Sequence, residues 1–124
     1  MTEATESTRQ NLAEAARNLP LHDTRDFDDV RRGFVGRAET RQVTAADGRV
    51  VWDLDAYGFL DEPVPDTASP SLWRQGQLLC EDGLFEVVPG VYQLRGFDLS
   101  VMSVIEGDTG VIVIDPLISK ETAA

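Results

Sequence analysis

The chain has 124 residues, with 11 basic and 22 acidic side chains, so its formal net charge is −11. This length allows one small domain with a modest hydrophobic core. An acidic surface repels nucleic acid, anionic membranes and anionic substrates, so the composition argues against direct binding of a phosphate backbone. The single cysteine, Cys80, excludes an internal disulfide and is compatible with a reducing compartment.

No segment of the chain predicts secretion or insertion into a membrane. The N-terminus, MTEATESTRQ, is polar and lacks the apolar stretch of a secretory signal. No run of residues approaches the ~20 apolar positions that a membrane span needs. We therefore expect a soluble protein of the cytoplasm.

Two short helices are predicted in the first part of the chain. Apolar residues recur at helical spacing over residues 8–18, and Pro20 ends that helix. Asp23 can cap a second helix, whose spacing places Phe27, Val30, Arg31 and Phe34 on one apolar face. Both helices are too short to be stable alone, so each must pack against another element.

Residues 41–60 have strand character. Bulky and acidic residues alternate over residues 50–57, which predicts a strand with Trp52 on one side and Asp53 and Asp55 on the other. The carboxylates of this region do not follow the spacing of an EF-hand loop, so a solvated strand face is favoured over a calcium site.

A third helix is predicted to begin at Ser69 and Pro70, an N-cap residue followed by a proline in the first helical position, and to end before Gly83. Cys80 lies at the end of this helix without a basic neighbour to lower its pKa, which favours a structural thiol over a nucleophile. His22, the only histidine, has no second histidine or cysteine near it, which favours a solvated or capping role.

Short runs of β-branched and aromatic residues predict four further strands, over 84–88, 91–94, 101–105 and 111–114. Pro89-Gly90 is a turn signal between the first two, and residues 106–110 supply Gly and Asp for a hairpin between the last two. The final strand stops at Asp115-Pro116, because proline has no N–H to donate to a sheet ladder.

The sequence contains no motif that carries a complete catalytic site. It has no Gly-rich phosphate loop and no Gly-x-Ser-x-Gly nucleophile motif. With one histidine it can form neither an HExxH nor an HxHxDH metal-binding cluster.

Four segments nevertheless carry a resemblance, and they stand in the order VVWDLDAYGFL, SPSLWRQGQLL, GLFEVVPGVYQLRGFDLS and IEGDTGVIVIDPL. They resemble the N-terminal part of the class III alkylsulfatases, zinc hydrolases of the metallo-β-lactamase fold that cleave sulfate esters such as the detergent dodecyl sulfate. The resemblance extends over roughly residues 18–122. It implies an α+β chain, with an N-terminal helical segment at 1–40. Residues 41–124 would be the first part of a metallo-β-lactamase-like domain, an antiparallel meander that opens its αββα sandwich.

The resemblance also implies roles for particular residues. Asp115 would be the aspartate at a strand end that supports the metal site without binding metal itself. The loop that overhangs the active site would contain Phe97, Asp98, Leu99 and Ser100. The family usually has an asparagine after this loop, where this chain has Val101, so one polar contact of the family is not expected here.

Two zinc ions are implied for the complete enzyme, and none for this chain. The HxHxDH cluster and the other zinc ligands would follow Ala124, so we expect the chain to stop before the metal site and to be inactive alone. Its partner would then be the missing C-terminal portion or a homologous chain, and only the complete enzyme would bind an alkyl sulfate. Two alternatives stay open: a non-catalytic module that docks on a full-length homologue, and a small binding domain with no enzymatic role.

Overall fold

A computed structural model describes residues 3–124 and shows an α+β chain, as predicted. The first two residues of the predicted N-terminal segment lie outside the described residues. The elements are α1 Glu6–Asn18, α2 Arg25–Arg31, β1 Phe34–Gly36, β2 Gln42–Thr44, β3 Val50–Asp53, a 3-10 helix Leu54–Asp61, α3 Pro70–Leu79, β4 Gly83–Val88, β5 Val91–Arg95, β6 Met102–Glu106, β7 Val111–Ile114 and α4 Lys120–Ala123.

In the part of the chain that the structure describes, the strands form a main sheet of five and a separate pair. The main sheet is antiparallel with the order β1-β4-β5-β6-β7, and β2 pairs with β3. Both predicted hairpins are confirmed. Gly90 turns between β4 and β5 with φ 80°, and the amide of Gly107 donates to the carbonyl of Gly110, at 2.8 Å, between β6 and β7. The prediction that Phe34 shares the apolar face of the second helix is wrong, because α2 ends at Arg31 and Phe34 begins β1, which pairs with β4. Residues 3–40 therefore contribute a strand to the main sheet as well as two helices.

The strand predicted over residues 50–57 is wrong beyond Asp53. The Asp53 carboxylate accepts a hydrogen bond from the backbone N–H of Asp55, at 3.0 Å, and so caps a 3-10 helix. The alternation of Trp52, Asp53, Leu54 and Asp55 therefore does not continue as two strand faces. Periodicity alone misses this change because a local side-chain hydrogen bond offers the backbone an alternative to the sheet.

The hydrophobic core of the described residues is small. Its buried apolar side chains belong to Ala4, Leu60, Phe85 and Met102. Phe85, only 1% exposed, packs edge-on against Phe34 with ring centroids 5.5 Å apart. The guanidinium of Arg95 lies 4.3 Å from the centroid of the same ring and donates to the carbonyl of Val30, at 3.1 Å, near the end of α2. Phe85 thus marks the part of the core where α2 meets β1 and β4, whereas Leu60 lies against Gly76 of α3.

The other side of the main sheet ends in a strand with two exposed apolar faces. The side chains of β7 are each between 46% and 62% exposed. Ile112 shares a sheet face with Ile105, and Val113 shares the opposite face with Val104. Apolar residues on both faces are typical of strands that are covered on both sides. Among residues 3–124, no helix is long and apolar enough to cross a bilayer.

We expect this edge to make the chain associate when its charge is screened. The net charge of −11 opposes self-association at low salt. At about 1 M salt the Debye length is only about 3 Å, so the apolar edge should then dominate. Sedimentation velocity at both salt concentrations measures this, and Ile112→Lys should keep the chain monomeric. Leu72→Lys, a change at an exposed residue of α3, is the matched control. A monomer at both salt concentrations would contradict the prediction.

Candidate functional site

A buried ion pair joins the β2–β3 pair to the main sheet. Asp82, just before β4, is 3% exposed and accepts two hydrogen bonds from Arg41, with Nη1–Oδ2 at 2.7 Å and Nη2–Oδ1 at 3.1 Å. Arg37 Nε lies 3.4 Å from Asp82 Oδ1, and Arg41 Nε donates to Asp55 at 3.0 Å. The hydrogen bond to Asp82 raises the pKa of Arg41 still further, so this guanidinium stays charged.

The candidate loop, residues 97–100 of the predicted active-site loop, begins next to this ion pair. Gly96, directly after β5, has φ 86°, and a Cβ atom placed on it would lie 2.6 Å from the Cβ of Asp82. Its carbonyl accepts a hydrogen bond from the indole Nε1 of Trp52, at 2.7 Å. Position 96 requires a glycine for two reasons: other residues rarely adopt this φ, and any Cβ atom would collide with Asp82. The start of the loop is therefore fixed against both β3 and Asp82.

Asp98 fixes the middle of the loop. Its Oδ1 accepts from the backbone N–H of Ser100, at 2.6 Å. Its Oδ2 accepts from the backbone N–H of Ile118, at 2.7 Å, and lies 3.0 Å from the hydroxyl of Thr122, which can donate to it. Phe97, Asp98 and Ser100 are half-buried, whereas Leu99 is 85% exposed. The loop thus turns one apolar side chain to solvent while its carboxylate binds the segment that follows β7.

The strand end at Asp115 has an unusual backbone. Asp115 and Leu117 have φ 54° and 71°, the left-handed region that non-glycine residues rarely adopt. The amide of Leu117 donates to the carbonyl of Asp115, at 2.8 Å, which closes a tight turn around Pro116. Such conformations cost about 1–3 kcal/mol each and persist where the surroundings hold them. The Asp115 carboxylate is exposed and accepts no hydrogen bond from the rest of residues 3–124.

The structure therefore brings the predicted loop beside the segment that follows the predicted strand end. Asp98 makes this connection by accepting hydrogen bonds from the Ile118 amide and the Thr122 hydroxyl, and no spacing in the sequence predicts it. One feature of the sequence could have indicated an ordered segment there. Ser119 lies three residues before Thr122, and the two residues form a capping box at the start of α4. The supporting role of Asp115 is not tested by these contacts and stays a prediction.

A cleft of about 720 Å³ lies between α2, the 3-10 helix and α3. Three arginines line it, and each is paired with a carboxylate: Arg31 with Glu81 at 2.6 Å, and Arg37 and Arg41 with Asp82. These ion pairs neutralise the guanidinium groups, so the cleft does not present free positive charge. Cys80 also lines it, and burial raises the pKa of its thiol, which agrees with a structural role. His22 lies outside this lining and is exposed.

Comparison with known proteins decides which family the chain resembles. No protein-family model matches it. It is 47% identical over 118 residues to an alkyl/aryl-sulfatase of Saccharomyces cerevisiae and 43% identical over 122 residues to a linear primary-alkylsulfatase of a Pseudomonas species. The structure of a stereoselective inverting sec-alkylsulfatase from Pseudomonas superposes with a TM-score of 0.88 at 46% identity. The chain resembles the N-terminal part of the alkylsulfatases.

The matches use nearly all of this chain and a small part of each alkylsulfatase. The chain is covered to 94%, 97% and 98% in the three comparisons, but it spans only 18–19% of the length of the relatives. The resemblance that four sequence segments predicted is therefore confirmed over almost the whole chain.

The described residues do not fit the two zinc ions that the resemblance implies. Within residues 3–124, no three His, Cys, Asp or Glu side chains are grouped so that they could hold a metal ion. Zinc sites in proteins use three or four such ligands, usually with nitrogen or sulfur among them. A metal centre would need ligands from outside this part of the chain.

We expect Gly96→Ala to be more destabilising than Gly48→Ala, its matched control. Both glycines have a positive φ, at 86° and 84°, but a Cβ atom added to Gly48 would have no neighbour within 4 Å, whereas one added to Gly96 would meet Asp82. Gly48→Ala should lower the free energy of unfolding by about 1 kcal/mol through backbone strain. Gly96→Ala should cost about 1–3 kcal/mol more through the clash. Equal urea midpoints for the two variants would show that the close approach to Asp82 has no energetic weight.

The Asp98 carboxylate should make stability depend on acid pH. Partial burial by itself raises the pKa of Asp98, but its hydrogen bonds from Ile118, Ser100 and Thr122 outweigh burial and hold the pKa below its ordinary value. The stabilisation is then complete above about pH 4, the unfolded pKa, and is lost as the pH falls through the folded pKa. Asp98→Asn should cost about 2 kcal/mol in urea unfolding at pH 7. The difference from the unsubstituted chain should shrink below pH 4, and a difference that is constant with pH would contradict the assignment.

Proposed function

We propose that the chain is the N-terminal part of an alkylsulfatase-like hydrolase of the metallo-β-lactamase fold, which cleaves alkyl sulfate esters such as dodecyl sulfate. The observation that supports this most is the identity of 43–47% to alkylsulfatases over nearly the entire chain. In this proposal, residues 1–40 form an N-terminal segment and residues 41–124 the first part of the catalytic domain. The cytoplasm is its predicted location.

The candidate loop and the strand end would form one wall of the active site. Leu99, the most exposed large apolar side chain of the loop, is available for contact with an alkyl chain. The Asp115 carboxylate has no hydrogen-bond donor within the described residues, so it is available to accept one from a metal-binding residue of another segment. Carboxylates outside a metal's own ligand set commonly orient ligating histidines in this way.

The chain alone should be inactive, because its described residues offer no adequate set of metal ligands. The partner that supplies these ligands would be the C-terminal remainder of such an enzyme. The exposed apolar strand β7 and the exposed end of the chain would be covered by that remainder. The chain's own contribution is then to position a loop and a strand end, while the reactive centre comes from the partner.

A second candidate is a non-catalytic module that docks on a full-length alkylsulfatase or another chain. The observation that favours it is the same strand β7, which has two apolar faces and, within residues 3–124, one edge without a partner strand, so that it can add to another sheet. Both proposals predict binding through β7, but only the first predicts that binding creates activity.

A complementation experiment separates these proposals. An alkylsulfatase relative is expressed without the part that this chain matches, and sulfate release from dodecyl sulfate is measured for each polypeptide alone and for both together. We expect the isolated chain to bind less than one zinc ion per molecule and to release no sulfate, and the mixture to release sulfate. Turnover that follows the purified chain alone would overturn the prediction. Binding without any turnover would favour the docking module.

In the complemented enzyme, Asp115→Asn should lower zinc occupancy or sulfate release by about 10–100-fold, as is typical when a residue that orients a metal ligand is changed. Asp108→Asn, in the exposed turn between β6 and β7, removes the same charge elsewhere and should have no effect. Metal content is measured on dialysed protein next to the rate. Normal zinc and full activity in the Asp115 variant would remove its supporting role.

A further inference from the structure

We infer that Asp98 is a positioning residue, whose carboxylate holds the backbone that follows β7 so that Asp115 and the loop keep one fixed arrangement. This inference rests on the proposed function for its catalytic consequence, and on geometry alone for the contact itself. The two carboxylate oxygens of Asp98 bind different segments of the chain. Oδ1 accepts from Ser100 within the loop, at 2.6 Å, and Oδ2 accepts from Ile118, at 2.7 Å, across 20 positions of sequence.

The position of Ile118 gives this hydrogen bond its importance. Asp115 and Leu117 both have positive φ, and Ile118 directly follows the second of them. Within residues 3–124, the hydrogen bond between the Leu117 amide and the Asp115 carbonyl is the one backbone hydrogen bond that closes the strained turn. The next amide along the chain is the one that Asp98 binds. A residue in the left-handed region relaxes unless its neighbours are fixed, so Asp98 supplies the fixed point on the far side of the turn.

A second contact strengthens the same attachment. The Thr122 hydroxyl, 3.0 Å from Asp98 Oδ2, also lies 3.0 Å from Ser119 Oγ in the capping box of α4. This four-residue helix contacts β2 and β3, the strands that Arg41 and Trp52 fasten to the main sheet. Asp98 therefore connects the strand end to a part of the chain that is already fixed. Because Leu99 follows Asp98, movement of this carboxylate would also displace the exposed apolar tip of the loop.

If Asp98 stabilised only its own loop, it would bind Ser100 alone. Substitutions can distinguish this local role from a role in positioning the strand end. Asp98→Asn keeps one acceptor oxygen and nearly the same shape, but it replaces the other oxygen with an NH₂ group that cannot accept. Thr122→Val removes only the hydroxyl contact. Asp108→Asn removes an exposed carboxylate that contacts neither segment and serves as the control.

The first experiment uses the 124-residue chain at low salt and needs no activity. Amide hydrogen exchange is measured by ¹⁵N-resolved NMR, with the Trp52 indole N–H, bonded to the Gly96 carbonyl, as a reporter of the intact junction. In Asp98→Asn the Ile118 amide should exchange at least about 10-fold faster, the loss of about one hydrogen bond to a charged group. The Trp52 signal should not move. Unchanged protection of Ile118, or equal changes in the Asp108→Asn control, would overturn the inference.

The second experiment uses the complemented enzyme. Asp98→Asn should lower kcat about 10-fold or more with little change in KM, since it displaces the strand end rather than removing a substrate contact. The kcat of the Thr122→Val variant should lie between that of Asp98→Asn and that of the unsubstituted chain. Full kcat in Asp98→Asn would overturn the positioning role. If the unsubstituted pair releases no sulfate, the proposed function fails, and the exchange of Ile118 alone then decides whether Asp98 holds the strand end.

Discussion

The buried ion pair between Asp82 and Arg41 fastens the β2–β3 pair to the main sheet, and the start of the candidate loop is built against it. Removing a carboxylate from water costs several kcal/mol, and only good geometry offsets that cost. Here Arg41 approaches through two nitrogens and Arg37 lies close by, so the buried oxygens of Asp82 are satisfied. The pair fixes the separate β2–β3 strands on the main sheet. It also explains the glycine at position 96, because the buried side chain of Asp82 leaves no room for a Cβ atom there.

From this ion pair a series of contacts leads to the candidate site. Trp52 holds the carbonyl of Gly96, the loop continues to Asp98, and Asp98 holds Ile118 beyond the strained turn at Asp115. Each contact joins segments that are distant in sequence and lies within a few residues of the next. A change at Asp82 would therefore reach Asp115 through backbone positions, without direct contact between the two carboxylates. This explains how a chain with a small hydrophobic core can hold a loop in a defined conformation.

Four of the five strands of the main sheet, β4 to β7, could be predicted because their β-branched runs and their turn residues act locally. The three-residue strand β1 could not be predicted, because its pairing partner β4 lies about 50 positions away in sequence. The strand over 50–57 could not, since the Asp53 side chain caps a 3-10 helix where the alternation of residues continues. The ion pair between Arg41 and Asp82 spans 41 positions in a sequence rich in both charges, so no spacing rule identifies it. The loop and Asp115 were found through family resemblance alone. Their connection through Asp98 became visible only in three dimensions, because it depends on where β5, β7 and α4 end.

The distribution of charge indicates how the proposed enzyme would divide its tasks. An alkyl sulfate is an anion, and this chain carries a net charge of −11. The arginines that could attract such a substrate in the cleft are bound instead to Glu81 and Asp82, where they stabilise the fold. Releasing any of them would leave a buried or half-buried carboxylate unpaired, at a cost that substrate binding would have to exceed. Under the proposed function, we therefore expect the positive charge that binds the sulfate group to come from the metal-bearing remainder and not from this cleft. The chain would then contribute apolar surface and a fixed backbone, a role that its net charge of −11 favours over direct attraction of an anion.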